Sequence, residues 1–102
     1  VSIDSVGLTV RVINKTDRET YSIGESVEGV LVSAVADMSE GAKKGMVPGD
    51  VIVEINQQPV TKPEDAADMI AKAHKGKRNS VLLLINREGD VSFVALRLDD
   101  TK

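Results

Sequence analysis

Few side chains in this sequence are of the types that make or break bonds, and their spacing argues against that use. His74 is the single histidine. As a general base it would need a nucleophile within hydrogen-bond reach and an acid to orient its ring. Ser26 sits in Gly24-Glu25-Ser26-Val27-Glu28, which lacks the second glycine of a Gly-x-Ser-x-Gly elbow. Gly24 and Gly29 have the spacing of a phosphate-binding loop, but Val30 and Leu31 stand where lysine and a hydroxyl residue are required. Glu64, Asp65 and Asp68 bring three carboxylates close together. At the start of a helix such acids complement the backbone dipole, which is the simpler reading. Lys72, Lys75, Lys77 and Arg78 read as a solvated helix end, with contact to an acidic partner as the alternative. No catalytic residue, metal ligand or cofactor site is assigned.

Composition narrows the field further. The chain has 102 residues, 41% hydrophobic and 28% charged, with a formal net charge of −3. That suits one soluble domain with one modest core. The two signs of charge are scattered, so no basic block exists to displace counterions from nucleic acid. One Tyr and one Phe are too few for a base-stacking platform. With no cysteine, disulfides, thiolate nucleophiles and the common zinc sites are excluded. No apolar run approaches the roughly 20 residues that span a bilayer. The chain begins at Val1 and reads as a piece excised from a longer protein, with an ordered core over about residues 5–98.

The elements follow from pattern. Val6 to Ile13 alternates apolar and polar residues, as a strand with one buried face does. Asn14 to Glu28 is polar and reads as a long surface loop. Val30 to Val35 is a β-branched central strand. Ser39 to Lys44 makes a short helix with Ser39 as its cap, and Gly45 suits a left-handed stop. A turn at Pro48-Gly49-Asp50 feeds the strand Val51 to Ile55. Asn56 to Gln58 turns, and Pro59-Val60 is extended. Thr61 and Glu64 have capping-box spacing ahead of a helix running to about Lys75, with Pro63 in its first turn. Ser80 to Arg87 and Val91 to Leu98 form a hairpin around Glu88-Gly89-Asp90. The fold class is mainly β with two helices: a small barrel or sandwich of five to six strands capped by the helices.

This order of elements resembles the bacterial, circularly permuted PDZ fold. The block Gly29-Val30-Leu31-Val32-Ser33-Ala34-Val35, then Ser39-Glu40-Gly41-Ala42, then Gly45 to Asn56 carries the likeness, which extends over about Ser5 to Leu98. The sequence looks like a PDZ domain of the HtrA/Deg family of trypsin-like serine proteases.

That resemblance implies a peptide site. The family binds a ligand's terminal carboxylate with a short loop, matched here by Ser5-Val6-Gly7-Leu8. Three successive N–H groups, at Val6, Gly7 and Leu8, can converge on one carboxylate, and glycine permits the geometry. Ser5 departs from the aromatic residue that many members carry there. The peptide would add as an antiparallel strand beside Thr9, Val10, Arg11 and Val12. The other wall would be the helix. Ala66, Ile70 and Ala73 form its core face, and Ala67, Ile70, Ala71 and His74 form the stripe that lines the groove.

The implied function is a peptide-binding module of a periplasmic serine endopeptidase in protein quality control. It would capture exposed hydrophobic C-termini, or extended hydrophobic segments of unfolded proteins, and the fragment itself would not be an enzyme. Its other partners would be the protease domain and a sister PDZ domain of a homo-oligomeric parent. Neither nucleic acid nor a membrane span belongs to this reading. The alternatives are an assembly or regulatory PDZ domain with a degenerate groove, with Asn14–Glu28 folding over it, or a PDZ domain of another bacterial protease.

Overall fold

The computed structural model describes residues 1–76 and 78–98. The chain runs β1 (Ser2–Ile3), β2 (Leu8–Val12), α1 (Lys15–Thr20), β3 (Val30–Val35), α2 (Glu40–Lys43), β4 (Val51–Ile55), β5 (Gln58–Pro59), α3 (Pro63–Lys75), β6 (Ser80–Arg87) and β7 (Asp90–Arg97). The strands form one antiparallel sheet in the order β1-β2-β3-β4-β6-β7, with β5 added to β4. The mainly β architecture agrees with the sequence reading. It has one strand and one helix more than that reading supplied.

Strand chemistry decides position in the sheet. Val30, Leu31 and Val32 of β3 have no exposure, because both faces of the strand are covered. In β6, Val81, Leu83 and Ile85 point inward and alternate with half-buried Leu82, Leu84 and Asn86. The β6–β7 turn is made by Glu88 and Gly89, and the β4–β5 turn by Asn56 and Gln57. Both pairs have positive φ, as a two-residue hairpin turn requires. Pro63, Ala66, Ile70 and Ala73 of α3 are buried, and the helix lies over β2, β4 and β6. Fully burying a side chain such as Ile70 contributes about 1.5–3 kcal/mol. A second, smaller cluster gathers Ile23, Leu31 and Val51, with Tyr21 and Val27 packed against it.

Three local expectations are corrected. Asn14–Glu28 is not loop throughout: α1 occupies Lys15–Thr20. Its polar sequence has no apolar face to read, and capping holds it instead. The Asn14 side chain accepts from the Asp17 amide at 2.8 Å, and Asp17 accepts from the Asn14 amide at 2.9 Å. The cap of α3 is Lys62, without a side-chain bond, so Thr61 and Glu64 do not form a capping box. Pro63 forbids a helical Lys62 and takes the first helical position itself, leaving Thr61 one residue too early. Finally, Ser2–Ile3 forms a strand ahead of the expected ordered core.

Two buried carboxylates fasten the sheet to its connections. Asp50 has no exposure. It accepts from Arg87 Nε at 2.7 Å and Nη2 at 2.9 Å, and from the Val47 amide at 3.1 Å. Arg87 Nη2 also donates to the Gly45 carbonyl at 3.0 Å, so one guanidinium closes the Gly45–Asp50 turn onto β6. Asp17 is held by both terminal nitrogens of Arg11, which tie α1 to β2. The hydrogen bond from Arg11 is the main cause that keeps the Asp17 carboxyl below its ordinary range.

Arg87→Met should cost about 3 kcal/mol in urea unfolding, because it leaves the Asp50 charge buried without a partner. Asp50→Asn should cost less, since the freed Arg87 side chain is 47% exposed and can be hydrated. Equal losses would show that the charge of Asp50 is not the source. Acid should also destabilise the domain through Asp17. Its folded pKa lies below that of the unfolded chain, so the unfolded state takes up the proton first. The contribution is complete above the ordinary carboxylate value of about 3.9 and is lost as pH falls through the folded value. Asp17→Asn should therefore give a flatter profile of urea midpoint against pH below about pH 4 than the unsubstituted chain.

Candidate functional site

The loop between β1 and β2 is fixed by close backbone approach. Gly7 has φ +76, and a Cβ there would collide with the Ser39 side chain. Its carbonyl accepts from the Ala36 amide at 2.8 Å, while the Val6 carbonyl accepts from the Gly41 amide at 2.9 Å. A Cβ on Gly41 would come within 2.7 Å of Leu8 Cδ2. Both glycines are needed, then, to let the loop lie against the start of α2. Ser39 completes the junction. Its hydroxyl donates to the Ala36 carbonyl at 2.7 Å and accepts from the Ala42 amide at 3.2 Å. Glu40, in the first turn of α2, accepts from the Arg97 amide at 2.9 Å, and that bond chiefly keeps its carboxyl below the ordinary range.

A cavity of about 620 Å³ lies beside this loop. One wall is Ser2, Ile3, Asp4 and Ser5. The other is the stripe of α3 formed by Ala67, Ala71, His74 and Lys75. Helical spacing explains the second wall: Ala66, Ile70 and Ala73 turn to the core, and the next residues round the helix face outward beside them. Two alanines in that stripe leave room that larger side chains would fill. The apolar floor with a basic end can accept an apolar side chain and still place a cation near a negative group.

The expected site residues separate into groups. Ser5, Ala67, Ala71 and His74 are brought together around the cavity. Val10 and Ile70 have no exposure and belong to the core, not to an open wall. Arg11 is engaged with Asp17, and Val12 borders a different, smaller hollow with Arg18 and Glu28. Segment 14–28 contributes nothing to the cavity. Its Tyr21 packs where a Cβ on Gly49 would stand, on the side of the second cluster.

The amides expected to form the cradle have partners within the chain. Val6 and Gly7 donate to the Ile3 carbonyl at 3.2 and 2.9 Å. Leu8 lies opposite Ile3 and Thr9 opposite Ser2 in the ladder. The Val10 amide donates to the Val1 carbonyl at 2.8 Å, and the Val1 nitrogen donates to the Val10 carbonyl at 2.9 Å. Residues 1–3 therefore lie along the edge of β2 on which an added strand would pair. Sequence reasoning missed Ser2, Ile3, Asp4 and Lys75 at the cavity. A strand of two residues is too short for a period, and only the turn-forming Asp4-Ser5 and Gly7 hint that the chain doubles back. Among the described residues no group of three or more acids and histidine is placed to hold a metal ion, and no helix is long and apolar enough to cross a membrane.

The family model for PDZ domains matches residues 31–85. A probable periplasmic serine endoprotease, DegP-like, of Brucella suis is 35% identical over 98 residues, 96% of this chain and 17% of that protein. The corresponding protein of Bartonella henselae is 41% identical over 68 residues, covering 67% of this chain and 14% of its own length. This chain thus spans about a sixth of the curated relatives it matches. Among solved structures, the HtrA3 PDZ domain bound to a phage-derived ligand (FGRWV) superposes with TM-score 0.69 at 21% identity, over 92% of this chain and 84% of that one. The HtrA-type protease AlgW with a decapeptide gives TM-score 0.75 at 22% identity, over 95% of this chain and 30% of that one. With the strand order, the glycine-fitted loop and the helix beside it, these matches place the chain in a known family: it is a PDZ domain of the HtrA/Deg protease type.

Proposed function

We propose that this domain binds peptides, capturing hydrophobic C-termini for an HtrA/Deg-type serine endopeptidase that works in the periplasm. The observation that carries the reading is the cavity of about 620 Å³ between residues 2–5, just ahead of the Val6–Leu8 backbone, and the small-residue stripe of α3. A terminal side chain enters between Ala67 and Ala71. The terminal carboxylate replaces the Ile3 carbonyl as acceptor for the Val6 and Gly7 amides, with the Leu8 amide beside them. Charge-assisted bonds of that kind are roughly twice as strong as neutral ones, which gives the exchange its direction. The rest of the peptide pairs with β2 and passes Thr9.

Unfolded or misfolded proteins are the natural source of such ends, since folding normally buries apolar termini. The relatives named as periplasmic endoproteases support that setting. The catalytic domain and a sister PDZ domain of the parent are then the partners in cis, and the parent is a homo-oligomer. So small an interface holds a peptide on the order of micromolar, about −8 kcal/mol.

A second reading, assembly, is favoured by a different observation. Val91 and Phe93 on β7, at the far edge of the sheet, are 59% and 60% exposed. An apolar edge of that kind can pair with another protein surface.

Fluorescein-labelled heptapeptides ending in Leu, with free and with amidated C-termini, separate the two. Peptide capture gives micromolar binding of the free acid, at least about tenfold loss on amidation, and amide shifts at Val6, Gly7 and Leu8. Ala71→Trp should abolish binding without unfolding the domain, because position 71 is exposed on α3. Equal affinity for the acid and the amide would rule out the carboxylate site. No binding at all, with self-association lost on Phe93→Lys, would favour assembly.

A further inference from the structure

The geometry points to a built-in competitor: residues Val1–Ile3 occupy the place of a bound peptide and set the affinity of the groove by having to leave it. This inference rests on the peptide-binding reading and adds a regulation to it. Three observations agree. The segment pairs antiparallel with β2, the orientation that an added ligand strand takes. Its Ile3 carbonyl takes the hydrogen bonds of Val6 and Gly7, two of the three donors assigned to a ligand carboxylate. The Ile3 side chain, 5% exposed, joins the cluster of Val6, Leu8 and Ile70 and borders the cavity, as the last side chain of a ligand would. Ile3 thus stands in for a terminal residue, with a neutral carbonyl where the ligand has a carboxylate.

The balance between the two occupants is set by opposing effects. The internal segment is tethered through Asp4–Gly7, so its effective concentration at the groove is on the order of millimolar. Against this, the segment offers a neutral carbonyl, and no charge, to the amides. Its partners at the turn have tolerance for exchange: Ser2, Asp4 and Ser5 are exposed, and little besides Ile3 is buried. An external C-terminus therefore binds the fraction of molecules in which Val1–Ile3 is detached, and its apparent dissociation constant is the intrinsic one divided by that fraction. Whatever holds or pulls this segment changes the affinity of the groove without touching a ligand-contacting residue.

The test locks the segment in place. Val1 and Val10 exchange both backbone bonds, which makes Ser2 and Thr9 a non-bonded pair with Cα atoms about 4.5 Å apart. That separation lies within the disulfide range of about 4.4–6.8 Å, and the chain has no other cysteine to interfere. The double variant S2C/T9C is prepared on the full chain, and the Leu-ended free-acid heptapeptide is titrated into its oxidised and reduced forms. Ile3→Gly, checked for folding by amide dispersion, serves as the releasing variant. The expected result is ready disulfide formation, at least about tenfold weaker binding when oxidised than when reduced, and at least about fivefold tighter binding by Ile3→Gly than by the unsubstituted chain. Failure of the disulfide to form would show that the segment is not docked and overturns the inference. Equal affinity of the oxidised and reduced forms, or of folded Ile3→Gly and the unsubstituted chain, overturns the competitor while leaving the groove as a peptide site. Absence of binding in every form, Ile3→Gly included, removes the peptide site and the competitor together.

Discussion

The contact on which the site depends is the close approach of the Val6–Leu8 backbone to the Ala36–Gly41 segment. Two main-chain bonds hold it, Ala36 N–H to the Gly7 carbonyl and Gly41 N–H to the Val6 carbonyl. It exists because no side chain stands between the strands of chain: Gly7 would strike Ser39 and Gly41 would strike Leu8 with even a methyl group. Hydrogen bonds of this kind are worth about 1 kcal/mol each in net terms. Their larger effect is directional. With the Val6 and Gly7 carbonyls turned toward α2, the amides that follow them across each trans peptide, those of Gly7 and Leu8, are turned the other way, and the Gly7 amide meets Ile3. The direction of these amides is a by-product of how the carbonyls are satisfied.

The helix wall depends on a similar division. Ala66, Ile70 and Ala73 anchor α3 to the sheet, and the depth of that packing sets where Ala67 and Ala71 stand. Larger residues at 67 and 71 would fill the cavity, and larger residues at 66 and 73 would lift the helix away from β2. The distant pairs hold the frame in which these distances are kept. Arg87 ties the Gly45–Asp50 turn to β6, and Arg11 ties α1 to the end of β2. Both join connections to strands, where a sheet alone would leave the chain free to shift.

What could be read in the sequence was whatever imposes a period or a stop. The strands Val30–Val35 and Val51–Ile55 and the helix Pro63–Lys75 have the expected bounds, because apolar spacing, Pro63 and Gly76 mark them. The small stripe at Ala67, Ala71 and His74 follows from that helix by counting. The missed elements are those held by contacts distant in sequence or by side-chain chemistry with no period. Helix α1 has six polar residues and depends on Asn14, Asp17 and Arg11. Strand β1 has two residues and depends on β2 and on the Val6–Gly7 turn for its backbone bonds. Val10 and Ile70 were assigned to the groove because alternation and helical spacing give a direction to a side chain but not the depth of what covers it. The sheet buries both.

Strand β1 buries a single side chain, that of Ile3. Detachment of residues 1–3 would expose one isoleucine and leave the amides of Val6, Gly7 and Val10 without their acceptors. An arriving C-terminus restores each of these: an apolar side chain for the cavity, an acceptor for the loop amides and a strand for the edge of β2. The two states therefore bury similar groups and differ mainly in the charge of the acceptor and in the entropy of tethering. A system of that kind sits near balance, because the large terms cancel and only small ones remain. A longer β1 would add ladder bonds that no short peptide could replace, and the groove would stay closed. With no β1 the edge of β2 would be bare, open to pairing with any extended chain.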